Sequence, residues 1–127
     1  MAKQASNEMT TVEKLKRSTR YKNLKTALTD DLKAAGMNRL PYTDMVEQYM
    51  DLWLQLQLLN EDVIQRGVQI PYRNGSNQEG VTDNKSVNIA IRVGARMDNI
   101  LTSLGYKERA KRQTAMTPDA GGDDDEL

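Results

Sequence analysis

Apolar residues recur at three- and four-residue steps over three stretches of the chain, and a short run of strict alternation separates the second from the third. From Thr11 to Ala35, Tyr21, Leu24, Leu28, Leu32 and Ala35 fall on one helical face, with Gly36 placed to end the helix. From Pro41 to Arg66, Tyr42, Met45, Val46, Tyr49, Trp53, Leu56 and Val63 make a stripe, which Met50, Leu54 and Leu58 carry well round the side. Pro41 suits the first turn of this long helix, Asp44 complements its dipole, and Gly67 is a natural stop. In the third stretch Ser86 is positioned as a cap and Gly105 as a stop, with Val87, Ala90, Gly94, Met97, Leu101 and Leu104 as the stripe.

The long helix leaves Asp44, Gln48, Asp51, Gln55 and Asp62 as its narrow polar strip. An apolar arc of roughly 260° is far wider than a surface helix needs, so this helix is expected to be covered on two sides. A monomeric bundle with this helix at its centre would satisfy the pattern. The favoured expectation is that Met45, Tyr49 and Trp53 anchor an antiparallel hairpin with the last helix, while Met50, Leu54 and Leu58 meet a neighbouring subunit.

Between the helices, Val68, Ile70 and Tyr72 alternate with Gln69, Pro71 and Arg73, Asn74-Gly75 offers a tight turn, and Val81 can return on a second strand. Pro71 confines its strand to an edge. The fold expected is mainly α: an antiparallel helical hairpin with a short β-hairpin connector, preceded by one or two short helices. Residues 1–10 and the acidic tail 113–127, with Gly121-Gly122 and Asp123 to Glu126, have nothing to bury and are expected to be disordered.

Composition narrows the chemistry. The 127 residues contain no cysteine and no histidine, which excludes a disulfide framework, Cys/His zinc sites, thiol nucleophiles and histidine acid–base schemes. Neither a signal-like apolar run at the start nor a stretch of ~18 apolar residues is present, so a soluble cytoplasmic protein, without a membrane role, is expected. Gly75 to Thr82 follows the spacing of a phosphate-binding P-loop, but Val81 stands where the lysine must reach the phosphates. Asp44, Glu47, Asp51, Glu61 and Asp62 could be drawn as a metal cluster, but three of them mark the solvent strip. No catalytic residue, metal or cofactor is assigned.

The zero net charge hides four blocks. Residues 1–40 carry nine Lys/Arg against four acids, and 41–65 carry five acids and no base. Residues 66–112 again hold nine bases against four acids, and 113–127 hold five acids alone. Local charge attracts a polyanion, so nucleic acid is a permitted partner. Lys14, Lys16, Arg17, Arg20, Lys22 and Lys25 crowd the first helical stretch and are the DNA-contact candidates, with Arg92 and Arg96 as further ones. A solvated basic face without a ligand would look the same in sequence.

Taken in order, Leu32-x-x-x-Gly36, an acid-started long helix with Tyr49 and Trp53, a polar hairpin led by Gly67, and Leu101-x-x-Leu104-Gly105 before Arg109 make a pattern over residues 28–112. It resembles the small terminase subunits of tailed double-stranded-DNA bacteriophages. The chain differs from that pattern at two helix boundaries, with Lys85-Ser86 for Asn-Pro and Tyr106-Lys107 for Thr-Pro. The resemblance implies a non-catalytic homo-oligomeric ring that recognises viral DNA and delivers it to the large terminase subunit, the ATPase and nuclease of packaging. On that basis residues 1–40 are expected to form the DNA-binding segment and 41–112 the oligomerisation core. The alternative is a small dimeric transcription regulator, with a helix-turn-helix within residues 11–40.

Overall fold

The computed structural model describes residues 10–75 and 78–116. In chain order they form α1 (Thr11–Arg17), α2 (Thr19–Ala34), α3 (Tyr42–Arg66), β1 (Gln69–Arg73), β2 (Glu79–Asp83), α4 (Lys85–Ser103) and α5 (Tyr106–Met116). The fold is mainly helical with one two-stranded antiparallel hairpin.

The first helical stretch is broken where periodicity alone shows one helix. Ser18 has extended backbone, ends α1 through its N–H to Leu15 O at 3.1 Å, and caps α2 by accepting from Tyr21 N at 3.2 Å. A serine competes with the helix ladder through its own hydroxyl, here also donating to Leu15 O at 2.6 Å. Helix α4 starts two residues earlier than a cap at Ser86 would place it. Its cap is Asn84, whose side chain accepts from Ser86 N, and Ser86 lies inside the first turn with its hydroxyl on Asp62.

Helices α3 and α4 run antiparallel: Asp62 lies against Ser86 at one end, while Met45 and Ile100 line one shallow cavity at the other. Gly67 (φ 88°) ends α3 in a conformation that costs a side-chain-bearing residue strain. The chain then enters β1, whose register against β2 pairs Gln69 with Asp83 and Arg73 with Glu79. The connection between the strands spans residues 74–78, longer than a two-residue turn at Asn74-Gly75.

Two apolar clusters share α3. One joins Leu28 and Leu32 of α2, Val46 and Met50 of α3, and Ile100 and Leu104 of α4 and its cap. The other joins Trp53 and Leu54 to Val93 and Met97, with Val12, Leu15, Tyr21 and Leu24 packed against it and the Tyr21 and Trp53 rings 5.7 Å apart. Met45 and Tyr49 pack beside them, half-buried.

This overturns part of the expectation for the wide apolar arc. Both covers come from the same chain, α1–α2 and α4. Met50 is fully buried and Leu54 nearly so, so neither is free to meet a neighbouring subunit. Leu58 alone of the three remains at the surface, 36% exposed. The α4 stripe is also rotated from the sequence estimate: Val93 and Ile100 are buried, while Val87, Ala90, Gly94 and Leu101 flank the seam, half-covered. Finally, α5 continues the ordered chain past Gly105 to Met116, four residues into the segment expected to be a disordered tail. Residues 1–9 and 117–127, where the remaining disorder was expected, lie outside the described residues.

Candidate nucleic-acid interface

The local structure of α1 and α2 fixes where their cations point. Thr10 and Glu13 form a reciprocal capping box, Thr10 Oγ1 accepting from Glu13 N at 3.1 Å and Glu13 Oε1 from Thr10 N at 3.0 Å. Val12 and Leu15 face the core, which leaves Lys14, Lys16 and Arg17 in solvent. After the Ser18 joint, Tyr21, Leu24, Leu28 and Leu32 turn inward, and Arg20 and Lys22 are exposed. These five cations make no ion pair among the described residues.

Lys25 is different. It is half-buried, and its Nζ lies 3.3 Å from Glu47 Oε2 on α3, so its charge is partly matched already. A cation committed to a carboxylate is a weaker phosphate ligand than one free to shed its counterion. The structure therefore leaves Lys14, Lys16, Arg17, Arg20 and Lys22 exposed on consecutive helices and sets Lys25 apart.

Arg92 and Arg96 are exposed on α4, a separate element. Arg96 shares its shallow cavity with Gln48, Asn99 and Ser103, not with the α1–α2 cations. Helix α5 adds exposed Lys107, Lys111 and Arg112, cations that the sequence reading did not assign because α5 has no apolar periodicity to reveal it. Arg109 is not among them: its guanidinium lies 4.6 Å from the Tyr106 ring centroid, and its Nη2 is buried without a hydrogen-bond partner among the described residues.

The acidic residues of α3 are dispersed. Glu47 pairs with Lys25, while Asp62 is held in a polar node with Arg66, Asn84 and Ser86. Hydrogen bonds from Arg66, then Ser86 and Asn84, push the Asp62 carboxyl well below the usual carboxylate range. Among the described residues no three acids gather as a metal site. Likewise Gly75 and Gly80 sit in the β-hairpin, where no helix N-terminus opens on them as a phosphate cradle requires.

The single-residue joint between α1 and α2 is shorter than the three- or four-residue turn of a helix-turn-helix, and 35–41 separate α2 from α3. Among the described residues no helix is long and apolar enough to cross a membrane. Comparison with family models, curated proteins and solved structures finds no match for this chain.

Proposed function

We propose that the chain is a non-catalytic, DNA-binding adaptor of the small-terminase type, which holds double-stranded viral DNA and presents it to a large terminase subunit carrying the ATPase and nuclease. The observation that carries this reading is the run of five exposed cations on α1–α2, without an ion pair among the described residues, on helices whose apolar side chains are locked into the core. Such cations contact phosphates without reading sequence and bind in a salt-dependent way. The resemblance over residues 28–112 supplies the biological setting.

One copy offers few phosphate contacts, and copies held in a ring would multiply them into avid binding. With Met50 and Leu54 buried, exposed Leu58, Ile64, Ile89 and Ile91 on α3 and α4 are the apolar side chains available to contacts between copies. Native mass spectrometry of the full chain, with and without duplex DNA, tests both parts. A ring whose mass shifts on adding DNA supports the reading; a monomer that ignores DNA sinks it.

A further inference from the structure

The β-hairpin is firmly rooted, and among the described residues nothing covers it. Asn84 is fully buried at its base, its backbone N–H donating to Val68 O at 2.8 Å and its Nδ2 to Gly67 O at 2.9 Å. Yet no residue of either strand is buried, and Tyr72 and Val81 stand 48% and 60% exposed. Two strands alone are marginal in water and gain from a third.

The two edges differ. The Asn84–Val68 and Asn74–Gln78 backbone bonds, with the register, make Ile70–Thr82 and Tyr72–Gly80 the mutually bonded pairs. The backbone groups of Gln69, Pro71 and Arg73 on β1, and of Glu79, Val81 and Asp83 on β2, therefore point away from the ladder. On β1 the central position is Pro71, which has no N–H, so that edge is blunted. On β2 all three positions offer a donor and an acceptor. Their side chains share one face, placing an exposed valine between Asp83, which forms no ion pair among the described residues, and Glu79, whose Oε2 accepts from Arg73 Nε across the ladder at 3.1 Å.

We infer that the outer edge of β2 is a strand-addition site for an extended basic segment of a partner protein, one that alternates Lys or Arg with an apolar residue. Charge argues against a second β2 as the occupant. Antiparallel self-pairing centred on Val81 would set Glu79 opposite Asp83 of the other copy, twice, as like charges. Strand β1 of a second copy would bring Pro71 opposite Val81 and lose a central bond. A strand with cations at alternate positions sets one on Asp83 and another beside Glu79, which it shares with Arg73, and its apolar residue lies against Val81. The inference is independent of DNA binding by α1–α2.

The test uses the full chain and a fluorescent Lys-Val-Lys-Val-Lys-Val peptide, followed by anisotropy and by amide exchange in NMR spectra. Binding is expected to slow exchange at Glu79, Val81 and Asp83 and to leave Gln69 and Arg73 unchanged. Val81→Pro removes an N–H that the hairpin does not use, so it should weaken the peptide at least about tenfold while β1–β2 cross-peaks persist. A Glu-Val-Glu-Val-Glu-Val peptide should not bind. The inference is overturned if the basic peptide does not bind the parent chain, if Val81→Pro binds it equally, or if the acidic peptide competes. It is also overturned if Val81→Pro lowers the mass of the peptide-free protein, since the edge then belongs to a second copy.

Discussion

Tyr106 Oη donates to Asp31 Oδ2 at 2.5 Å across 75 residues of sequence, pinning the start of α5 to the last turns of α2. Partial burial, and then this bond, raise the Tyr106 phenol above its ordinary value. A raised folded pKa means a contribution that is complete below the unfolded value, near pH 10, and is lost as pH climbs toward the folded one. Tyr106→Phe should cost about 1 kcal/mol at neutral pH in urea unfolding. Above about pH 10 the gap between parent and variant should narrow; Tyr49, raised by burial and by Asp98, keeps an alkaline decline in both.

Asn84 couples three elements. It caps α4, holds Gly67 O, and donates to Asp62 Oδ2 at 3.1 Å. Asn84→Ala removes the cap and leaves buried backbone groups unpaired, so about 2–4 kcal/mol of stability should be lost in urea unfolding. Loss of the hairpin root should also speed amide exchange at Val68 to Asp83 more than in α2.

Asp62 gives the acid counterpart. Its folded pKa is depressed, first by Arg66, which chelates it through Nε at 2.7 Å and Nη2 at 2.9 Å. The stabilisation it contributes is therefore complete above the unfolded value, near pH 4, and declines as pH falls toward the folded one. Asp62→Asn should unfold more readily than the parent at neutral pH. Below about pH 4 the difference should shrink, and a gap that stays constant on acidification would show that the carboxylate charge plays no part.

The helical pattern made α3, its Gly67 stop and the antiparallel pairing with α4 legible, because long amphipathic stretches with glycine ends admit few other structures. What periodicity could not show was direction. The same arc on α3 fits a cover from a second copy or from α2, and only the placement of Leu28 and Leu32 beside Met50 decides for α2. Ser18 and Asn84 were missed as joints since their effect comes from single side-chain-to-backbone bonds that leave no periodic trace. Helix α5 was missed for the opposite reason: it is polar almost throughout, held by Tyr106 and Arg109 at its start.

Core and surface assignments on α3 separate cleanly by mutation. Met50→Ala should cost about 2–5 kcal/mol, the range for emptying a fully enclosed site, without changing the mass of any assembly at temperatures where the variant is folded. Leu54→Asp should unfold the chain, since it buries a charge beside Val93 and Met97. Ile64→Asp, at a position 82% exposed, should leave the monomer's stability nearly unchanged and so report on contacts between copies alone.

The DNA reading turns on the difference between Lys22 and Lys25, three residues apart on α2. Each phosphate neutralised by a free cation contributes about 0.9 to the slope of log affinity against log salt. Lys22→Gln should therefore flatten that slope by nearly a full phosphate contact. Lys25→Gln should flatten it less, because Glu47 at 3.3 Å already offsets part of the Lys25 charge. Glu47→Gln supplies the converse: freeing Lys25 should tighten binding and steepen the slope. Replacing Lys14, Lys16, Arg17, Arg20 and Lys22 together with Gln should abolish measurable binding to duplex DNA in a fluorescence-anisotropy titration at physiological salt. Binding that survives with its salt slope intact would move the interface to Arg92 and Arg96 on α4 or to Lys107, Lys111 and Arg112 on α5, and charge reversal there would locate it.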